Sequence, residues 1–418
     1  MLWSIQQARQ PGLGTSPPPG HNGLDRAAIA QARPTNTTAI AASHRNMTEP
    51  LPLAPHLLEP AATFSAPADG DTAPATLATW MAAHGAPAYR AGQVRKWLFE
   101  RKAGSFEDMT DLPKQLRQEL AADWRVWTMT IAKHSTAADG TEKLLLQTAD
   151  NERIECVLLR DGTRRTICIS SQVGCAMGCV FCASGLDGVI RNLTSGEIVE
   201  QMLHLARLLP TEERLSHIVV MGMGEPLANL NNLLPALDEA ASPTGLGISH
   251  RRITISTVGL PPAMERLSAL DARYQLAVSL HAPNDELRNK LVPVNKSIGL
   301  RTILNAADQY FQVSGRRLTY EYVLLGELND RTEHARELAD LLRGRLALLN
   351  VIPYNPVPGL PYKSPSRKSQ ERFLQILEQA GVNVQVRERK GDEINAACGQ
   401  LRRLNVDSSP AVVQLTTG

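Results

Sequence analysis

Aromatic residues supply only 4% of the 418-residue chain, and no apolar run approaches the ~20 residues that a membrane-spanning helix needs. A membrane-embedded protein is therefore not expected. Cysteine is scarce too, with six residues in the whole sequence, too few for a disulfide scaffold. Neither sign of charge dominates: 44 Lys and Arg stand against 42 Asp and Glu, so the total of +2 declares no nucleic-acid partner and leaves room only for a local basic patch. The opening MLWSIQQARQPG has no apolar core of the length a secretory signal requires, which points to a cytoplasmic protein.

What is present is unevenly spread. Eleven of the 27 prolines fall in the first 75 residues, among Ala, Thr, Ser and Gly without a helical or strand period. That stretch reads as a disordered extension. Met47 is as good a start as Met1. From residue 76 to about 130 short amphipathic helices follow, TLATWMAAHG, YRAGQVRKWLFERKAGSFEDM and LPKQLRQELAADW. Val94, Trp97 and Leu98 recur at helical spacing beside Arg90, Arg95, Lys96, Arg101 and Lys102, which predicts a small helical module with one basic face.

Residues 131–165 read as a connector: a polar, turn-rich segment from Ser135 to Thr141 and a hairpin of KLLLQT and ERIECVLLR. A long alternation then begins. Strand-like runs at 166–170, 217–222, 252–257, 274–281, 318–325, 346–354 and 383–389 are mostly separated by helical stretches such as GEIVEQMLHLARLL and TEHARELADLLR. Repeated strand–helix units predict a parallel sheet covered by helices, as an incomplete barrel or an open sheet. The two-residue period of TICIS puts Thr166, Cys168 and Ser170 on one face, and the same count groups Thr254 with Ser256 and Ser279 with His281. GMGEP at 222–226 and YNPVPG at 354–359 follow two more strands, so polar residues gather at strand ends, where barrels build their active sites.

Three of the six cysteines lie within eight positions, in SSQVGCAMGCVFCASG. Cys175, Cys179 and Cys182 form C-x3-C-x2-C. A structural zinc normally takes four protein ligands and no second pair is at hand, so three local thiolates suit a 4Fe-4S cluster with one iron left for a non-protein ligand.

This arrangement resembles the radical S-adenosylmethionine (SAM) superfamily, in which SAM chelates the open iron. The resemblance favours a partial (β/α) barrel over an open sheet and matches Phe181 to an aromatic near the SAM adenine. A closer resemblance follows from CISSQVGCAMGCVFC, RNLTSGEIVEQ, VVMGMGEPLANLNNL, RRITISTVGL, SLHAPNDELRNKLVPVNK, IPYNPVPG and GDEINAACGQL, with YRAGQVRKWLF and FEDMTDLPK in the helical module. In order over residues 76 to about 400, these are similar to the RlmN family of RNA adenine carbon-2 methyltransferases, relatives of the Cfr methyltransferases that act at carbon 8. The chain departs from the family in its proline-rich start, in ASGLDGVIRNL and in its tail.

The resemblance implies an α/β fold with a small N-terminal helical accessory domain of RNA-binding character, a radical SAM barrel over 166–405, and a tail from 406 to 418. It makes Cys175, Cys179 and Cys182 the cluster ligands and assigns SAM binding to Glu225, Pro226, Ser256, Ser279, Leu280, His281 and Asn355. Cys398 is the cysteine that carries the methyl group, Cys168 resolves the intermediate through a transient disulfide, and Glu155 accepts a proton. The implied substrates are 23S rRNA and the adenosine beside the tRNA anticodon, with two SAM per turnover and an electron donor such as flavodoxin or ferredoxin.

The need for cysteines outside the cluster follows from chemistry alone. Adenine carbon 2 is electron-poor and has no lone pair with which to attack the SAM methyl, so a radical route is needed. Arg387, Arg389, Lys390, Arg402 and Arg403 surround Cys398 in sequence. With Arg251, Arg252, Lys363, Arg367 and the helical module they are expected to form a path for the RNA backbone. Two other outcomes stay open: carbon-8 methylation by the same chemistry, and a non-catalytic, zinc-stabilised RNA-binding protein.

Overall fold

The computed structural model describes residues 76–270, 274–316, 318–387 and 390–402, together with the backbone of Leu51 and Pro52. The proline-rich extension, Arg389, Arg403 and the tail lie outside the described residues.

Three helices open the described chain: α1 (Leu77–Ala83), α2 (Tyr89–Phe99) and α3 (Lys114–Asp123). Thr76 caps α1, its hydroxyl accepting from the Thr79 amide at 3.1 Å. Leu77, Met81, Val94, Leu98 and Leu120 turn inward and are buried. Much of the basic face is engaged within the protein. Arg95 pairs with Glu239 and Lys102 donates to the carbonyls of Leu209 and Pro210, both at 2.8 Å, so these two cations dock the helices onto the rest of the molecule. Arg90 donates to the Asp111 carbonyl at 3.0 Å, and Arg101 stacks on Trp97 while it pairs with Asp111.

Next come β1 (Thr130–Thr136), β2 (Glu142–Gln147), β3 (Arg153–Asp161) and β4 (Arg164–Cys168), then a hairpin of β5 (Gln172–Gly174) and β6 (Val189–Asn192). The remainder alternates: α4 (Ser195–Arg207), β7 (His217–Val220), α5 (Leu230–Ala241), β8 (Ile253–Thr257), α6 (Pro261–Ser268), β9 (Gln275–Ser279), α7 (Asp285–Leu291), α8 (Leu300–Ser314), β10 (Leu318–Leu324), α9 (Thr332–Leu342), β11 (Ala347–Pro353), α10 (Arg367–Gln379) and β12 (Val384–Val386).

One ten-stranded sheet runs β12-β11-β10-β9-β8-β7-β4-β3-β2-β1. Strands β4 and β7 to β12 pair in parallel, as the strand–helix alternation requires, and β3, β2 and β1 add antiparallel strands beyond β4, while the β5–β6 hairpin forms a small antiparallel sheet of its own. The segment read from sequence as a connector is thus part of the main sheet. Its outer strand β1 escaped the sequence reading because TIAKHST is polar and mostly exposed, with a bulge between Ile131 and Lys133. The sheet has two edges, which makes it an open, partial barrel, α/β with a helical N-terminal part.

Local chemistry fixes the strand ends that matter. A capping box at Thr194 and Glu197 starts α4, with the Thr194 amide donating to Glu197 at 2.8 Å and the Glu197 amide to Thr194 at 3.2 Å. One turn on, Gln201 grips the end of β4, accepting from the Ser170 amide at 2.8 Å and donating to its carbonyl at 3.0 Å. Buried Glu200 accepts from the amides of Thr128 and Met129 at 2.9 and 2.7 Å, which ties the helical part to the sheet.

Candidate active site

At the C-terminal ends of the parallel strands a cavity opens, and most of the residues singled out in the sequence meet there. Its wall includes Cys175, Cys179 and Cys182, with Phe181 among them. Glu225, Pro226, Ser256, Ser279, His281, Asn355 and Cys398 complete the set brought together. Leu280 is not among them. Alternation along β9 turns its side chain into the core, and its amide donates to the Glu321 carbonyl at 2.9 Å.

The three cysteines sit in the connection of the β5–β6 hairpin, a feature that the sequence did not disclose. Gly174 has φ +77, and a Cβ there would collide with the Gly188 carbonyl, so the hairpin closes only with glycine at that position. The Cys175 amide then donates to Gly188 at 2.9 Å and the Val180 amide to Leu291 at 3.1 Å, which aims the loop at the cavity. Burial raises all three thiols, Cys175 to about 12, and leaves them protonated unless a metal holds the thiolate. Among the described residues no three His, Cys, Asp or Glu side chains converge as ligands of one ion do. Thiolates of an iron–sulfur cluster each bind a different iron, so this donor set fits a cluster better than zinc.

Glu225 is buried, and burial raises its pKa. Its oxygens accept from the amides of Leu227 and Val258 at 3.0 and 2.9 Å, joining the end of β7 to the end of β8. His281 has φ +59, and its Nδ1 accepts from the Val323 amide at 3.1 Å while its ring meets Phe181 edge-on at 5.0 Å. Burial, then the charge of Arg288, lowers its pKa to about 3, so the imidazole is neutral. Asn355 donates to the Cys398 carbonyl at 3.3 Å, and its own Oδ1 is buried without a partner. An unsatisfied acceptor facing this cavity fits a ligand with hydrogen-bond donors, such as the amino or hydroxyl groups of SAM.

Cys398 faces this space from a loop that Ala183 holds by donating to the Gly399 carbonyl at 2.8 Å. Cys168 lies behind it, buried at the end of β4. Burial first and then the neighbouring Cys398 push the Cys168 thiol up to about 12, against the pull of Arg387 and a hydrogen bond from Met221. Glu155 does not line the cavity. It pairs with Lys143 at 2.7 Å and accepts from the Arg402 amide at 2.7 Å. All six cysteines are free thiols.

Two cavity residues escaped the sequence reading of the site. Glu321 lies on β10 in register with Ser279 and Asn350, and Arg387, one residue past β12, neighbours Glu321 and both cysteines of the Cys168–Cys398 pair. Arg387 was expected in an RNA-facing rim but lines the cavity instead. The other described members of that rim have partners as well: Lys390 donates to the Arg160 carbonyl at 3.0 Å and Arg402 pairs with Asp187 at 3.5 Å.

The comparisons with known proteins agree with this geometry. Residues 71–126 match the ribosomal RNA large subunit methyltransferase N-terminal domain, and residues 169–341 match the radical SAM superfamily. The chain is 65% identical over 327 residues to a probable dual-specificity RNA methyltransferase RlmN of Rhodopirellula baltica, covering 78% of this chain and 88% of that protein. It is 44% identical over 338 residues to the dual-specificity RNA methyltransferase RlmN of Dichelobacter nodosus, covering 79% and 93%. Among solved structures, a radical SAM methyltransferase from Sphaerobacter thermophilus superposes with a TM-score of 0.76 at 44% identity, covering 78% of this chain and 97% of that one. The chain belongs to the RlmN family of radical SAM RNA methyltransferases.

Proposed function

We propose that the protein methylates carbon 2 of adenosine in 23S rRNA and at the position beside the tRNA anticodon, with Cys398 as methyl carrier. The observation that carries this reading is the placement of Cys398 on the wall of the cavity that also holds the three-cysteine loop, with Cys168 behind it. Cys175, Cys179 and Cys182 would hold a 4Fe-4S cluster. Glu225, Pro226, Ser256, Ser279, His281 and Asn355 would bind SAM; Leu280, expected among them, has its amide taken by the Glu321 carbonyl and its carbonyl by Arg288, and would hold the strand end that presents Ser279 and His281. Bound there, cluster and SAM supply a radical able to take hydrogen from an otherwise inert methyl group.

The chain's own residues then have separate tasks. The Cys398 thiolate accepts a methyl group from a first SAM, forming an S–CH3 bond as the sulfonium leaves as a neutral thioether. After a second SAM has allowed hydrogen abstraction, the carbon joins adenine carbon 2. The Cys168 thiolate attacks the Cys398 sulfur, forming the disulfide as the carbon–sulfur bond breaks; the electron pair of that bond passes to the methylene carbon, which takes up a proton and leaves as the methyl group of the modified base. A flipped or unstacked adenosine is required for entry.

Reduction of the cluster and of the disulfide calls for an electron donor of the flavodoxin or ferredoxin kind. No helix among the described residues is long and apolar enough to cross a membrane, and a cytoplasmic location suits an enzyme acting on ribosomal and transfer RNA. The test is nucleoside analysis of rRNA and tRNA from a strain lacking the gene. Loss of 2-methyladenosine supports the proposal. Loss of 8-methyladenosine instead, or an unchanged profile, refutes it.

A further inference from the structure

Two buried carboxylates stand near the cysteine pair, and their surroundings differ. Glu155 is 2% exposed and has both oxygens occupied. Oε1 meets Lys143 Nζ at 2.7 Å and Oε2 accepts from the Arg402 amide at 2.7 Å. Lys143, itself buried, also donates to the Asn395 carbonyl at 3.0 Å. Asn395 and Arg402 flank Cys398 on either side in sequence. The ion pair therefore grips both ends of the segment that carries Cys398, and Glu155 faces that segment's backbone rather than the cavity.

Of the carboxylates, Glu225 and Glu321 line the cavity. Glu225 spends both oxygens on the amides of Leu227 and Val258. Glu321 accepts from Asn350 Nδ2 at 3.0 Å with Oε1, while its Oε2 is buried without a hydrogen-bond partner. Strand parity explains the direction: Tyr320 and Tyr322 turn to the helices, where the Tyr322 ring meets that of Phe373 on α10 at 5.4 Å, and Glu321 and Val323 turn to the cavity. Arg387, which also neighbours Cys398 and Cys168, is the cation beside Glu321.

We infer that Glu321 is the base that takes the proton from adenine carbon 2 in the adduct with Cys398, and that Glu155 with Lys143 is a clasp that positions Cys398. This rests on the radical methyl-transfer reading above. In the step, the carbon-2 C–H bond breaks, its electron pair stays in the ring and an O–H bond forms at Glu321 Oε2. The unpaired electron of the adduct passes to the iron–sulfur cluster, the one-electron acceptor of this chemistry. Burial raises the proton affinity of Glu321, and Arg387 opposes that shift and favours the carboxylate, the balance a general base requires.

The roles separate in the reconstituted holoenzyme given labelled SAM and transcribed 23S rRNA. Three quantities are read: methyl occupancy of the Cys398 peptide, RNA covalently bound to protein, and 2-methyladenosine. Glu321→Gln should keep Cys398 methylated as in the parent, accumulate covalently bound RNA and lower product formation by about 10²-fold or more. Lys143→Met and Glu155→Ala should fall together and should lower Cys398 methylation itself, because a misplaced carrier fails at the first step. Glu155→Gln, which keeps an acceptor for the Arg402 amide, should restore most of what Glu155→Ala loses.

The inference is overturned if Glu155→Gln is as inactive as Glu155→Ala with Cys398 fully methylated, since that outcome makes Glu155 the base. It is also overturned if Glu321→Gln loses Cys398 methylation, which would place Glu321 in SAM binding. A parent enzyme whose Cys398 is never methylated would instead defeat the underlying reading of the reaction.

Discussion

Arg288 lies fully buried behind the cavity and makes no direct ion pair among its hydrogen bonds. Its guanidinium donates to the carbonyls of Leu280 at 3.0 Å, Val258 at 2.6 Å and Ser279 at 2.9 Å, and to Asn295 Oδ1. It thereby fastens the ends of β8 and β9, which present Ser256, Ser279 and His281. Burial lowers its pKa to about 10, a sign that the site holds the cation at a cost. Each hydrogen bond to a charged donor contributes roughly 1.5–3 kcal/mol, but replacement by Met also ends the burial of a charge. The remaining loss, four acceptors left without donors, is about 3–5 kcal/mol, a large part of a typical stability of about 5–15 kcal/mol. In urea titrations Arg288→Met should lower the midpoint by about 1–2 M. Arg288→Lys should recover little, because an ammonium does not reproduce the planar fork that reaches acceptors on several sides. A midpoint within about 0.3 M of the parent would refute the assignment of Arg288 as the fastener of these strand ends.

Other outcomes follow from the same geometry. Cys398→Ala should abolish RNA methylation while SAM cleavage continues, and methylated RNA from that variant would remove Cys398 as carrier. Cys168→Ala should leave RNA covalently attached to the protein, visible as a shifted band in a denaturing gel; free methylated RNA would contradict its resolving role. His281 is held neutral with its pKa near 3 against an ordinary 6.5, so the stability that its burial protects is complete above about pH 6.5 and is lost as pH falls toward 3. His281→Asn should therefore flatten the acid limb of the denaturation midpoint by up to about 1.4 kcal/mol per pH unit, and an unchanged limb would count against this. Gly222→Ala places a Cβ 2.7 Å from both the Ile169 carbonyl and Ser170 Oγ, at the junction of β4 and β7. It should cost about 1–3 kcal/mol in unfolding and weaken SAM binding, whereas parental stability would show that the junction yields.

Much of the site was legible because its signals are local. The spacing of Cys175, Cys179 and Cys182, the GEP turn and the small residues around Cys398 can each be read within a few positions. Strand parity also placed Ser256, Ser279 and His281 on the cavity side, whereas Cys168, expected to face the lumen, lies buried behind Cys398. The positions of Glu155 and Arg387 were not legible, because they depend on contacts between distant segments: Glu155 meets Arg402 across the sheet, and Arg387 turns inward where β12 ends. Glu321 did leave a trace. A carboxylate inside LTYEYVLL, with tyrosines on both sides, marks a charged residue on a buried strand, and the two-residue period places it with Thr319 and Val323. The hairpin that carries the cluster loop was hidden because β5 and β6 are too short to show a period.

The central claim is that the methyl group reaches adenine through Cys398 by a radical route. The most direct measurement uses SAM bearing a trideuterated methyl group, with mass spectrometry of both the modified nucleoside and the 5'-deoxyadenosine. Transfer through Cys398 predicts that one deuterium appears in 5'-deoxyadenosine and that the new methyl group on carbon 2 retains only two. A product methyl that keeps all three deuterium atoms, with none in 5'-deoxyadenosine, would contradict the account.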